Sequence, residues 1–338
     1  MSSLFETGLE TVIHSPRQAA LEPTSRPVPT AQQVLVRVER TLISPGTELA
    51  LYEGTHSALG DPEVRFAKYP FRPGYAAIGR VEAMGAEVPG PPLGQRIFFH
   101  GRHASWGLVT PAVDVWLPVP VGISDDAVLL ARLVQIASTA QQCARRQPRS
   151  VLVIGAGIVG IFAAQVFQAA GVERVVIQDI NPERVALARR CGVKIALVGS
   201  GQDFSAGLAQ LGGTAECVVE ATGVPALVPA ALSAVARLGE VVLLGSSRGF
   251  AEINLYKHVH AKGVSLVGAH EAIFPSKPSP TSISREELTL QAFEWLRTGK
   301  IRIDGLISHN IVPEQLAETY ARLSVDKSNL LGVAVKWC

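Results

Sequence analysis

From about Ser150 to Gly268 the chain repeats one pattern: a short apolar run, a turn, then a longer stretch whose apolar residues recur at helical spacing. The runs are VLVI (Val151 to Ile154), VVIQD (Val175 to Asp179), KIALV (Lys194 to Val198), CVVEA (Cys217 to Ala221), VVLLG (Val241 to Gly245) and VSLVG (Val264 to Gly268). Nearly continuous apolar runs predict strands buried on both faces, the condition of a parallel sheet covered by helices. Six of them predict a doubly wound α/β sheet. Helices are expected over IVGIFAAQVFQAA, PERVALARRC and PALVPAALSAVARLG, the second opening with Asn181 as cap and Pro182 in its first turn.

Before Ser150 the pattern is different. Prolines and glycines are frequent, and short β-rich runs such as QVLVRVER and IGRVEAM predict a twisted, mostly antiparallel unit. After about Glu271 the chain passes a polar stretch, FPSKPSPTS, and enters a helix from Ser284, whose spacing to Glu287 fits a capping box. The ending LLGVAVKWC reads as a strand for which a complete six-stranded sheet has no place, so it is expected to return to the first domain. The expected division is a β-rich domain over residues 1–120, a nucleotide-type domain over 121–270, and a return to the first domain over 271–338.

A chain of 338 residues, 47% hydrophobic and 18% charged, supplies two packed domains rather than one large core. Its net charge of +2 is made of mixed signs with no Lys/Arg block, so nucleic acid is not an expected partner. The N-terminal MSSLFETGLETVIHSPRQ contains acids and lacks the basic and apolar segments of a secretory signal. The longest apolar stretch, Gly157 to Gly171, is too short to span a bilayer. A soluble cytoplasmic enzyme with no membrane association is therefore expected. Cys143, Cys191, Cys217 and Cys338 show no C-x-x-C pair and no His at ligand spacing, and read as small hydrophobes rather than a zinc lobe or a disulfide framework.

GAGIVG places Gly155, Gly157 and Gly160 at G-x-G-x-x-G spacing, directly after a predicted strand and at the start of a predicted helix. The first glycine permits a tight turn, the second lets the backbone approach a pyrophosphate, and the third lets helix and sheet pack closely. The amides of Ile158 and Val159 then face the anion at the helix N-terminus. Asp179 ends the next strand 19 residues beyond Gly160, where a carboxylate accepts hydrogen bonds from a ribose diol. That carboxylate repels a 2′-phosphate and favours NAD(H), while neighbouring Arg184 keeps NADP(H) open. Thr222 and Gly223, and Gly245 and Ser246, fall at the carboxyl ends of later strands, where such sheets bind ligands. Glycine-rich turns of this kind also bind S-adenosylmethionine, but six strands and a second domain argue against that use.

LISPGTEL (Leu42 to Leu49), YPFRPGYAAIGRV (Tyr69 to Val81), VLVIGAGIVG, and the pair LGEVVLLGS and VSLVGAH together resemble the medium-chain dehydrogenase/reductase superfamily along nearly the whole chain. The resemblance implies a GroES-like, β-rich catalytic domain beside a Rossmann domain. It also implies that Ser138 and Thr139 contact the cofactor, and that a homodimer forms through the last strand of the nucleotide fold. Zinc-dependent members carry a Cys before G-T-D, a His-Glu pair after P-G and a further Cys before the nucleotide fold. Here Pro45 precedes Gly46-Thr47-Glu48, Tyr75 and Ala76 follow Pro73-Gly74, and Gln135 stands in LVQIAST. A zinc-free protein is implied. The S-P-G-T-E and P-G-Y elements look closest to a subgroup that includes bacteriochlorophyllide hydroxyethyl dehydrogenases, a likeness that transfers no substrate.

Without zinc, another group must polarise the substrate oxygen and move its proton. Tyr75 stands at a ligand position and either donates to a developing alkoxide or fills the vacated space. Thr47 matches the family's relay hydroxyl, and Glu48 is an acid/base candidate or a structural carboxylate. His56, His100, His103 and His270 are further candidates, each with a structural alternative. Lys68 and Arg72 flank the P-G-Y turn as anion binders or solvated charges. Three functions remain open on a small-molecule substrate: alcohol/ketone oxidoreduction with NAD(H), reduction of an activated C=C bond, and silent binding of NAD.

Overall fold

The computed structural model describes residues 7–64, 66–199, 201–326 and 331–337. The first elements are β1 (Thr7–Ser15), β2 (Gln18–Ser25), β3 (Val34–Ile43), α1 (Thr47–Glu53), β4 (Ala77–Met84), β5 (Arg96–Phe99), β6 (Trp106–Val109) and β7 (Trp116–Pro118). Then follow α2 (Asp125–Cys143), β8 (Ser150–Ile154), α3 (Ile158–Ala169), β9 (Arg174–Asp179), α4 (Pro182–Arg190), β10 (Ile195–Val198) and α5 (Ser205–Gln210). After these come β11 (Ala215–Glu220), α6 (Val228–Ala234), β12 (Val235–Leu243), α7 (Leu255–His258) and β13 (Ser265–Gly268). The chain closes with α8 (Arg285–Arg297), β14 (Ile307–Ile311), α9 (Leu316–Val325) and β15 (Gly332–Lys336).

These elements form two units, one of Met1–Leu130, Pro275–Phe293 and Ile307–Cys338, the other of Ala131–Phe274 and Glu294–Leu306. The division falls inside α2 rather than at 120/121, because one helix runs unbroken from Asp125 to Cys143. Residues 271–274 and 294–306 join the second unit, where the sequence assigns 271–338 to the first.

In the second unit the six-stranded sheet has the order β10-β9-β8-β11-β12-β13, and all its pairings are parallel. Every residue of β8 is buried, and Leu152, Val176, Val218 and Val241 of neighbouring strands share one core with Leu232 of α6. Register sets Gln178, Ile154, Glu220, Leu243 and Gly268 side by side across the sheet. The loops that follow these positions therefore emerge along one edge. α4 begins at its expected cap, with the Asn181 side chain accepting from the N–H groups of Glu183 and Arg184. The helix expected over 225–239 stops at Ala234, because Val235 is already paired with Ala215 in β12. Leu238, at φ 59°, sits in the bulge that next brings Glu240 opposite Cys217.

In the first unit a seven-stranded sheet runs β14-β15-β3-β4-β5-β7, with β6 also paired to β3. The terminal strand β15 lies antiparallel to β3, Val333 opposite Ile43. Val34, Val36 and Val38 of β3 pack with Val81, Ile97 and Phe99. The Ser284 capping box is present: Ser284 Oγ accepts from the Glu287 N–H at 3.1 Å, and the Glu287 carboxylate accepts from the Ser284 N–H at 2.8 Å.

Among the described residues no helix is long and apolar enough to cross a membrane. Burial pushes the Cys191 thiol up to about 12 and raises that of Cys217, so neither supplies a thiolate near neutrality. Cys338 and residues 1–6 of the N-terminal stretch lie outside the described residues.

Candidate functional site

The three glycines of the turn between β8 and α3 divide their roles by geometry. Gly155 has φ 98°, and a Cβ there would meet the Thr222 methyl at 2.6 Å. A Cβ at Gly160 would lie 1.9 Å from the Gly155 carbonyl oxygen, so close passage of helix and turn requires glycine. At Gly157 a Cβ would meet nothing within 4 Å, which leaves open space over the backbone at the start of α3. No side chain caps that helix, so its first amides, including those of Ile158 and Val159, have no side-chain acceptor at the cap.

Asp179 closes the turn from the next strand. Its carboxylate accepts from the Ala156 N–H at 2.6 Å and from the Asn181 N–H at 2.8 Å, one bond to each oxygen. A cleft of about 470 Å³ lies here, lined by Gly155, Gly157, Asp179, Ile180, Arg184 and Thr222 among others. The Arg184 Nε is buried and has no hydrogen-bond partner among the described residues. Such a donor is free to take water or an anionic ligand as its acceptor. The donor set thus fits a dinucleotide: uncapped helix amides for the pyrophosphate, a fixed carboxylate for a ribose diol, and a cation beside them.

Glu220, buried at the end of β11, is a residue the sequence reading missed. Its carboxylate accepts from the N–H and O–H of Thr222 and from the Gly223 N–H at 3.1 Å, fixing the turn that the sequence marks by Thr222 and Gly223. Burial raises its pKa, against the lowering effect of these hydrogen bonds. Its carbonyl accepts from the Gly245 N–H, where a Cβ would come within 2.3 Å of the Gly223 nitrogen. Ser246 is exposed beyond this contact. The available signal was an acid inside an otherwise apolar strand.

Ser138 and Thr139 use their hydroxyls inside the protein. Ser138 donates to the Val134 carbonyl at 2.8 Å, and Thr139 donates to the Ala269 carbonyl at 2.8 Å, tying α2 to the end of β13. His270 is exposed, and its Nδ1 accepts from the Ala272 N–H at 3.2 Å as the cap of a short turn.

In the first unit the antiparallel pairing of β3 with β4 sets Thr41 opposite Ala77, so the Pro45–Glu48 and Pro73–Tyr75 segments emerge at the same end. The backbone at His103 joins them, its N–H donating to the Pro73 carbonyl at 2.9 Å. Gly74, at φ 106°, packs against that segment so closely that a Cβ would meet the His103 nitrogen at 2.4 Å. Thr47 is exposed at the start of α1 and Tyr75 is half-buried.

Glu48 is 2% exposed, and its Oε2 accepts from the Tyr320 hydroxyl at 2.7 Å and from His103 Nε2 at 3.1 Å. His103 Nδ1 meets Thr41 Oγ1 at 2.7 Å, and that oxygen accepts from the Trp337 indole N–H at 2.9 Å. With His103 donating from Nε2 and the Thr41 O–H donating to Nδ1, the whole chain of bonds is satisfied. Burial, then the charge of Glu48, pushes the Tyr320 phenol well above its ordinary value, so it remains a donor. Glu48 is thus an anchor for α1, which positions Thr47, and His103 and Tyr320 are its partners.

His56 lies beyond the far end of α1, with Nδ1 accepting from the Ala58 N–H and its ring edge-on to Phe66. His100 packs edge-on to Phe98. Arg72 pairs with Glu10 at 3.0 Å, and Lys68 is exposed. The solvated reading of those two charges fits these positions.

A family model described as zinc-binding dehydrogenase matches residues 159–276. L-Threonine 3-dehydrogenase of Photorhabdus laumondii is 28% identical over 271 residues, covering 70% of this chain and 76% of the relative. A structure of the RspB alcohol dehydrogenase of E. coli CFT073, complexed with NADH, superposes with a TM-score of 0.81 at 19% identity, covering 98% of this chain and 99% of that one. A zinc-binding-type dehydrogenase of Sinorhizobium meliloti bound to NADP gives 0.80 at 19% identity, with 98% and 99% covered. Over residues 159–276 the chain is thus similar to zinc-binding dehydrogenases, and its fold is the one these dehydrogenase structures share.

At the positions that the sequence resemblance singles out stand Pro45, Tyr75 and Gln135, and among the described residues no group of three or more His, Cys, Asp or Glu is arranged to hold a metal. Gln135 is fully buried on α2, and its Oε1 accepts from the guanidinium of Arg132. Arg132 in turn makes a two-pronged pair with Glu271, at 2.8 and 3.1 Å.

Proposed function

We propose that this chain is a nicotinamide-dependent dehydrogenase of the medium-chain dehydrogenase/reductase type that interconverts an alcohol and a ketone on a small molecule, prefers NAD(H), and works without catalytic zinc. One observation carries the cofactor preference: Asp179 faces the glycine-turn cleft with both oxygens held by backbone N–H groups. A carboxylate fixed there accepts the ribose hydroxyls of NAD(H) and repels the 2′-phosphate of NADP(H). Arg184 offers its unpartnered Nε to the bound anion. The metal-free reading is supported by the residue set itself, since proline cannot ligate, phenol and amide are poor zinc ligands, and Gln135 is already engaged by Arg132.

When bound, the nicotinamide supplies or accepts the hydride. The chain's own work is to orient it and to handle the proton at the substrate oxygen. Tyr75 donates to that oxygen, Thr47 relays the proton, and Glu48 holds α1 so that Thr47 keeps its place. A second copy of the chain is proposed to cover the edge strand β13, whose Leu266 is 41% exposed.

The test is a titration of the purified chain with NADH and NADPH by nicotinamide fluorescence, followed by product analysis with secondary alcohols and a matched enone. Tighter NADH binding and conversion of the alcohol to its ketone are expected. Equal or tighter NADPH binding overturns the cofactor reading, and a saturated ketone from the enone replaces carbonyl chemistry by C=C reduction.

A further inference from the structure

A second cleft in the same unit, of about 530 Å³, opens at the opposite edge of the parallel sheet. Its residues sit where strands begin: Arg149 directly before β8, Glu216 at the start of β11, Arg237 and Glu240 in the first part of β12, and Ser265 at the first position of β13. Glu216 lies four residues before Glu220 on β11, so the cleft is separated from the cofactor turn by roughly 13 Å along that strand.

Four guanidinium groups line this cleft, those of Arg145, Arg146, Arg149 and Arg237, against two carboxylates. Both carboxylates are committed to the wall. Glu240 is 7% exposed and accepts from the Arg145 N–H at 3.1 Å, while Glu216 accepts from the Arg149 N–H at 2.8 Å and pairs with its guanidinium at 3.3 Å. Arg146 and Arg237 are exposed, and among the described residues neither meets a carboxylate. Two forks able to grip an anion bidentately are thus left at a concave, positive surface. Leu238, left-handed at φ 59° and 69% exposed, adds an apolar wall beside them. A left-handed leucine is strained, and such strain gathers at binding sites.

We propose that this cleft binds a small polyanion carrying two or more phosphate groups, gripped by Arg146 and Arg237, at a site separate from the cofactor turn. The volume suits a small molecule. The mixed charge of the chain, with no basic run extending the patch, disfavours a nucleic-acid track. The inference is independent of the substrate and of the cofactor preference.

Isothermal titration of inorganic tripolyphosphate into the full chain saturated with NADH tests it, with orthophosphate as comparison. Saturable binding, tighter than for orthophosphate, is expected. The double variant R146A/R237A is expected to weaken it by about 10- to 100-fold, with melting temperature and NADH affinity unchanged, and R146K/R237K to retain part of it. The proposal is overturned by absence of saturable binding, by equal affinity for orthophosphate, by unaltered affinity in R146A/R237A, or by displacement with NADH. That last result would locate the anion at the glycine turn instead.

Discussion

Replacing Tyr320 by Phe isolates one bond in the buried network beneath α1. The ring keeps its stacking on Tyr52, at 5.5 Å between centroids, so little packing is lost. What disappears is the O–H donated at 2.7 Å to a carboxylate only 2% exposed, whose Oε1 already has no hydrogen-bond partner among the described residues. A hydrogen bond to a buried charge contributes about 1.5–3 kcal/mol, and its loss leaves His103 as the remaining donor to Glu48. Y320F is therefore expected to destabilise the first unit by about 2 kcal/mol. In an E48Q background the same change breaks only a neutral bond and is expected to cost about 1 kcal/mol, a coupling of about 1 kcal/mol. Denaturant unfolding followed by tryptophan fluorescence in a W295F background suits the measurement, because three of the four tryptophans, Trp106, Trp116 and Trp337, belong to that unit and Trp295 to the other. A loss below about 0.5 kcal/mol, or an equal loss in both backgrounds, refutes the network as described.

Three further outcomes are expected. D179A lowers NADH affinity about tenfold and narrows the margin over NADPH, read by fluorescence titration, since it removes both the diol acceptor and the repelling charge. G160A forces the turn open, because its Cβ would sit 1.9 Å from the Gly155 oxygen, and is expected to cost about 1–3 kcal/mol in stability together with most NADH binding. The pKa of Glu220 is raised by burial above its ordinary 4.5, so the native state holds this proton more tightly than the unfolded chain. The stability linked to it is full below pH 4.5 and declines as pH rises through the raised value. Melting temperatures from pH 4 upward should show this decline for the native chain and not for E220Q; parallel curves would remove the assignment.

Much of the Rossmann unit was legible because its signals are local. Continuous apolar runs mark strands buried on both faces, glycine spacing marks a turn that tolerates no Cβ, and Asn181 and Ser284 announce their helices through bonds to neighbouring residues. The end of α6 was not legible, since Val235–Leu238 continues a helical pattern and only pairing with Ala215 makes it a strand. The partners of Glu48 were hidden for a different reason. Tyr320 is 272 residues away and His103 is 55, and no periodicity encodes which buried polar groups meet. The Arg132–Glu271 pair, spanning 139 positions, was invisible for the same reason. Of the two readings open for Glu48, acid/base or structural carboxylate, its burial and its bonds to Tyr320 and His103 favour the structural one.

Metal dependence bears most directly on the proposed chemistry, because the proposal gives Pro45, Tyr75 and Gln135 no metal to hold. The decisive measurement is turnover of a secondary alcohol with NAD⁺ before and after exhaustive chelation, with the zinc content of the same samples determined. Far less than one zinc per chain and an unchanged rate are expected. Stoichiometric zinc, with activity lost on its removal and restored on its return, would contradict a metal-free dehydrogenase.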